Sequence, residues 1–302
     1  MSNINQHFLV KKAETGTASN GSQYLNLTLF DGKKALPAKQ WDFGGEPPKI
    51  GDILLIKATL GEYRGSPQAT INSWKLAEPG ECSIEKFVPV IQQDVNQIYQ
   101  RICKAAETIM DGSLKALTVK TLECNEASFK AAPASVSIHH GYLGGLAEHT
   151  LNVLNLAVTM AKQSPENLDM DLVIAGAVLH DIGKIKTYTW ERGFIERSVQ
   201  GRLIEHIVFG TLIIQEIANT LKISFEEIEK LMHIIVSHHG RQEWGSPVEP
   251  ATKEAMIVHR ADETEAKMTM VDEAIANIED ADAKWLYLKP DNIQLLCQGK
   301  EK

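Results

Sequence analysis

Cysteine is scarce in this chain. Cys82, Cys103, Cys124 and Cys297 form no CxxC pair and no dense framework, which excludes a disulfide-stapled scaffold and fits a reducing, cytoplasmic compartment. Long apolar runs are lacking as well. No stretch of about 18 apolar residues occurs, and MSNINQHFLVKK at the start has no hydrophobic signal core, so neither export nor a membrane-spanning helix is expected. Glycine (21) and proline (11) are too few for collagen or low-complexity sequence. Nucleophile elbow, P-loop and GxGxxG are all missing, which leaves no reason to expect a covalent enzyme intermediate. Positive charge is in deficit too: 31 Lys plus Arg against 39 Asp plus Glu leave −8. That counts against a protein that wraps a nucleic-acid backbone by charge alone.

What is present is a chain of 302 residues, 43% hydrophobic, enough for two domains with their own cores. The charge is unevenly placed. Residues 1–82 hold nine basic and eight acidic residues, and residues 83–302 hold 22 and 31. A near-neutral module is followed by an acidic one, whose excess bound divalent metals would partly cancel.

The first module reads as strands. In YLNLTLF (24–30), Leu25, Leu27 and Leu29 alternate with Tyr24, Asn26, Thr28 and Phe30. ALPAKQW (35–41), ILLIKATL (53–60) and QATINSW (68–74) follow, punctuated by Asp31-Gly32, Gly51-Asp52 and YRG (63–65). Four or five short strands in about 75 residues suit a small OB-type barrel, and an SH3-like barrel would give nearly the same string. Tyr24, Phe30, Trp41, Phe43, Tyr63 and Trp74 are candidate stacking platforms beside Lys39 and Arg64, although a barrel this small also needs aromatics inside. Residues 83–90 read as a linker. From 91 to 302 the apolar spacing is helical, with helices expected over 95–110, 142–162, 170–181, 201–221, 225–237 and 251–279. The fold class is therefore a small all-β barrel followed by an all-α domain.

The chemistry lies in the second domain. DLVIAGAVLHDIGKIK (171–186) runs an apolar helix into His180-Asp181, and buried neighbours of this kind are costly unless bonded to something. A metal satisfies both, since imidazole nitrogen and carboxylate oxygen suit Mn, Fe, Co, Zn or Ni. His149, His206, His238, His239 and Asp262 stand at intervals of roughly one helix plus a loop, so a helical bundle can bring all seven together. His233 and His259 read as structural or supporting, His139 and His140 as residues of the cleft wall, and His7 has no context. Glu148 and Glu205 each precede a candidate ligand, and spacing does not say whether they orient it or face solvent.

The order His149, His180-Asp181, Asp262 resembles the HD phosphohydrolase superfamily, and the added His206 and His238-His239 resemble its two-metal members. HHGYLGGLAEHT, GAVLHDIGKIK, GRLIEHI, SHHGRQEWGSPVEP and ADETEAKM are similar to the YhaM type of 3′-to-5′ exoribonuclease, which also carries an OB domain in front. The resemblance covers about residues 10–280. Leu146-Ala147 and Arg260-Ala261 depart from the family pattern without removing a candidate ligand.

The resemblance implies two divalent metals, Mn²⁺ favoured. His149, His180, Asp181 and Asp262 would take the first, and Asp181, His206, His238 and His239 the second, with Asp181 bridging. It implies activated water as nucleophile, single-stranded RNA, or DNA, as substrate, nucleoside 5′-monophosphates as products, and assembly of more than one copy. Lys184 is expected to offset phosphate charge in the catalytic centre. Arg202, one turn before His206 on an expected continuous helix, and Arg241 and Trp244 after the histidine pair are expected to contact the strand. The barrel would hold it through Tyr24, Trp41, Tyr63 and Arg64. Two other functions stay open at this level. One is an HD phosphohydrolase of a cyclic dinucleotide or small nucleotide, disfavoured by the absence of GYP. The other is a non-enzymatic nucleic-acid-binding or scaffold protein, disfavoured by seven retained ligand candidates.

Overall fold

The computed structural model describes residues 2–63, 65–78, 80–136, 140–164, 166–190, 192–276, 278, 284–288 and 293–296. Arg64, His139, Cys297 and the end of the expected 251–279 helix lie outside the described residues. The chain divides into two compact units, residues 1–90 with 189–196, and residues 91–188 with 197–302.

In the first unit, β1 (Ser2–Thr17), β2 (Gln23–Phe30), β3 (Ala35–Trp41), β4 (Ile53–Tyr63) and β5 (Ser66–Leu76) close a barrel in the order β1-β2-β3-β5-β4. All pairings are antiparallel except β3 with β5, and this order is OB-like. The alternation in β2 is realised, with Leu25, Leu27 and Leu29 buried. No separate expectation covered β1, and its construction explains why. Residues 2–9 pair with β4 and residues 9–17 with β2, with a register shift between Val10 and Lys12. Where the strand passes from one neighbour to the other, Phe8, Leu9 and Val10 are buried in succession. The bend therefore interrupts the period of two that marks a strand in sequence.

Residues 83–90, read above as a linker, lie within this unit. Ser83 caps a 3-10 turn, Ile84–Phe87, and Phe87 and Val88 are buried. Proline, glycine and charge nearby mask those two apolar anchors in the sequence. Residues 189–196 join the same unit from inside the helical sequence, which no local pattern announces.

The second unit is largely helical: α1 (Val95–Ala106), α2 (Gly112–Ala131), α3 (Gly145–Gln163), α4 (Met170–Leu179), α5 (Lys184–Thr187), α6 (Val199–Leu203), α7 (His206–Leu221), α8 (Phe225–Ser237) and α9 (Lys253–Ala276). A short strand pair, β8 (Trp285–Leu288) with β9 (Ile293–Leu296), adds to the expected all-α body, and another, β6 (Tyr188–Thr189) with β7 (Glu196–Arg197), lies where the chain leaves and re-enters it. Helix α4 is buried from Leu172 to Leu179, as a helix apolar all round must be, and packs against α3, α8 and α9. It is the axis on which the site is built.

Two helix expectations need correction. Helix α2 was not anticipated, because two of its six buried residues are threonine. Thr118 and Thr121 are buried, their hydroxyls donating to the carbonyls of Leu114 and Leu117 at 2.8 Å each, so the stripe does not read as apolar. The expected helix 201–221 is two helices, broken at Ile204 and Glu205. Arg202 therefore does not share a helical face with His206. It is exposed in the last turn of α6. No helix among the described residues is long and apolar enough to cross a membrane.

Candidate metal centre

Helices α4 and α8 end in the same device. Each is C-capped by a histidine, His180 and His238, whose Nδ1 donates to the carbonyl three residues back, Ala177 at 2.9 Å and Ile235 at 2.7 Å. The last carbonyls of a helix have no intrahelical donor, so the imidazole satisfies one and turns its Nε2 away from the helix. The other three histidines follow the same rule with different acceptors. His149, in the first turns of α3, gives Nδ1 to Glu265 at 2.6 Å. His206, the first residue of α7, gives it to Glu205 at 2.8 Å, and His239 to the Trp244 carbonyl at 2.9 Å. Five Nδ1 atoms face acceptors, which turns the five Nε2 atoms away from those acceptors and toward one another.

These Nε2 atoms gather around two carboxylates. His149 Nε2 lies 3.3 Å from Asp181 Oδ2 and 3.2 Å from Asp262 Oδ1, and His180 Nε2 lies 3.4 and 3.9 Å from the same two atoms. On the other side, Asp181 Oδ1 is 3.5 Å from His206 Nε2 and 3.6 Å from His238 Nε2. Asp181 Oδ1, His206 Nε2 and His238 Nε2 are all buried without a hydrogen-bond partner. Leaving three such atoms unmet in a protein interior costs about 1–3 kcal/mol each. A cation resolves all three at once, so the donor set fits a metal. His206, His238 and His239 form one group whose donor atoms lie within 4.8 Å of one another, and His149, His180 and Asp262 form another. Asp181 stands between them, one oxygen toward each.

The charges agree with that reading. Burial opposes ionisation of Asp181, but Lys184 at 2.5 Å and the surrounding imidazoles hold it well below the usual carboxylate range. Asp262 is lowered likewise against its burial, first by His149. Burial also opposes a charge on His149, yet Asp181, Asp262 and Glu265 outweigh it and raise the imidazole well above its ordinary value. That proton is the one a metal displaces on binding. On the opposite side burial dominates, lowering His206 and His238 and bringing His239 down to about 4. Neutral imidazole is the form that binds metal.

Behind these residues stands a supporting layer whose central member, Glu265, was missed by sequence reasoning. Glu265, three residues after Asp262 and so on the same face of α9, accepts from His149, from His140 Nε2 at 2.7 Å, and from Asn152 at 3.1 Å. The i, i+3 spacing in ADETEAKM was the available signal. His140 also bonds the Tyr142 hydroxyl at 2.7 Å, and Tyr142 donates to Glu148. Glu148 thus tightens the wall behind His149. His259 donates to the His238 carbonyl at 2.7 Å, and His233 accepts from Ala251 N at 2.8 Å. Both fix backbone.

Glu205 sits at φ 70° and ψ 158°, a region that is nearly glycine-only and costs about 1–3 kcal/mol. Its carboxylate accepts from His206 N at 3.1 Å, bonds His206 Nδ1 and is gripped by Arg197. Its pKa is brought down to about 2, first by the bond to His206.

A cavity of about 520 Å³ adjoins the centre, with Lys184, His238, His239, Asp262 and Trp244 among its lining. Lys184 is therefore placed beside the cluster. Arg241 is exposed, 3.2 Å from Glu243 and stacked on Trp244 at 4.9 Å. In the barrel, Phe43 is core and Trp74 is partly buried and donates to Gln40. Tyr24 and Trp41 pair across β2 and β3, rings 5.5 Å apart, with Lys39 Nζ 4.2 and 4.5 Å from them. Lys11 covers Phe30, and Tyr63 is exposed.

Residues 146–267 match the HD domain family. The chain is 33% identical over 280 residues to the 3′-5′ exoribonuclease YhaM of Bacillus velezensis, covering 91% of this chain and 88% of that one. It is equally similar to the proteins of that name from Bacillus subtilis, with 91% and 88% covered, and Halalkalibacterium halodurans, with 91% and 87%. No solved structure gives a significant match.

Proposed function

This chain belongs to the family of the YhaM 3′-5′ exoribonucleases, and from that premise we propose that it is a metal-dependent exonuclease. It shortens single-stranded RNA from the 3′ end and releases nucleoside 5′-monophosphates, with single-stranded DNA the nearest alternative substrate. The observation that carries this reading is the convergence of three buried, unpartnered atoms on one point, Asp181 Oδ1, His206 Nε2 and His238 Nε2.

His149, His180, Asp181 and Asp262 would hold one ion, and Asp181, His206, His238 and His239 a second. Divalent ions bound there supply Lewis-acid polarisation of a phosphate and an acidified water at neutral pH. Mn²⁺ is the favoured ion, and Co, Fe, Ni or Zn suit the same mixture of nitrogen and oxygen donors.

The chain's own residues do the rest. The Nδ1 bonds hold five imidazoles in the ligating orientation before any ion arrives. Against its burial, Lys184 keeps its proton through Asp181. It gives the cavity wall a fixed positive charge where the scissile phosphate must lie. Trp244 and Arg241 bound the approach, and Tyr24, Trp41 and Tyr63 offer the barrel's stacking surface. Arg202, exposed on a separate helix from His206, is left to contact flanking phosphates. A cytoplasmic setting accords with the free state of the three described cysteines.

The test is digestion of a 5′-labelled single-stranded RNA with added Mn²⁺ by wild type beside Asp181→Ala. A ladder shortening from the 3′ end in the wild-type lane alone is expected. Intact RNA in both lanes, with metal content confirmed, would overturn the reading.

A further inference from the structure

We propose that the cavity beside the metal centre seats the base of the 3′-terminal nucleotide, and that Ala266 and Met270 of α9 together with Trp244 form that seat. The inference rests on the exonuclease reading and adds which part of the substrate the enzyme grips at the point of cleavage.

The argument starts from the spacing along α9. Asp262, Ala266 and Met270 all line the cavity. They lie four residues apart, so they form a single stripe on the helix, about 12 Å long at 1.5 Å per residue. The stripe begins at a candidate metal ligand and continues in apolar side chains. A phosphodiester held at the Asp262 end leaves the attached terminal nucleoside to follow the stripe, where it meets a small side chain and then a polarizable one. Alanine leaves room for a flat ring, and methionine adapts to rings of different outline. Trp244, half-exposed on the same cavity, adds an aromatic face.

The polar residues of this part of the wall are tied to one another. Glu263 is bonded by Arg260 at 2.7 Å and by Lys267 at 3.1 Å, one cation on each carboxylate oxygen. Recognition by contact with a ring face rather than by hydrogen bonds to base edges is sequence-tolerant. The seat therefore accepts all four bases, which is what an enzyme that removes residues one after another requires.

The experiment uses the full chain loaded with Mn²⁺ and two 5′-labelled strands of one sequence. One strand ends in an ordinary nucleotide and the other in an abasic residue with a free 3′-hydroxyl. The quantity read is the ratio of kcat/KM for the first cleavage of the two. In the wild type the base-bearing end is expected to be preferred by tenfold or more, with the four bases alike to within a few-fold. Ala266→Phe, which fills the seat, should bring the ratio close to one by slowing cleavage of the base-bearing end, with metal content unchanged. Met270→Ala should lower the ratio part of the way, and it serves if the phenylalanine variant does not fold. A wild-type ratio near one, or a ratio that survives in the folded variants, overturns the proposal. A wild type that cuts neither strand overturns the exonuclease reading and the seat with it.

Discussion

Every imidazole of the centre has its Nδ1 committed to a carbonyl or carboxylate. The ligating geometry is therefore set by residues that are not ligands, and Glu205 is the plainest example. It holds a glycine-like backbone conformation and at the same time caps α7 and orients His206. Glu205→Gly removes the strain and the carboxylate together. The melting temperature of the metal-free protein should change little, because relief of about 1–3 kcal/mol of strain is set against loss of the cap and of the bonds to His206 and Arg197, which are worth about as much. Affinity for the ion held by His206 should fall about 10- to 100-fold. Differential scanning calorimetry and metal titration of the same variant check the two halves. A parallel loss of both would show that Glu205 is there for stability.

Helix ends, more than helix lengths, carry the site. The glycine of His180-Asp181-Ile182-Gly183-Lys184 is required by close approach. A Cβ on Gly183 would lie 1.9 Å from the His206 carbonyl and 2.5 Å from Gly210 N, so the turn after α4 rests directly on the backbone of α7. That contact sets His206 across from Asp181. Gly183→Ala must push the two elements apart. It should lower the melting temperature by several degrees, in line with about 1–3 kcal/mol of overpacking, and lower the number of ions retained after dialysis. Full retention at an unchanged melting temperature would refute this account. At this scale the sequence was partly legible. The apolar run of α4 and the turn after it could be read, because burial on every side writes itself as an unbroken apolar string. Helix α2 could not, because Thr118 and Thr121 bury polar side chains that bond their own helix. Nor could the break before His206, because a non-glycine residue at positive φ leaves no mark in composition.

Across the whole molecule the charge of −8 favours stacking over charge as a handle on a strand, and in the proposed function the exposed aromatics of the barrel supply it. Trp41 is half exposed, paired with Tyr24 and crossed by Lys39. Trp41→Ala should raise KM for a long single strand by about 5- to 100-fold, the equivalent of roughly 1–3 kcal/mol for one stacked base, with kcat and the melting temperature little changed. A fall in kcat at constant KM would place Trp41 elsewhere in the cycle. The barrel itself was legible from β2, whose alternation is complete, and from the short runs that form β3, β4 and β5. The closing strand β1 was hidden by the bend at which it changes partners.

The sequence by itself determined the inventory: a β module before a helical one, and seven histidines and aspartates spaced about one helix apart. Residue type and periodicity are local properties, and donor chemistry goes with residue type. Tertiary structure decided how those donors meet. It turned one oxygen of Asp181 toward each histidine group, set Glu265 and Glu205 behind His149 and His206, and opened a cavity along α9. Those outcomes depend on which backbones approach within contact distance, and such approaches join residues tens of positions apart that no local pattern relates.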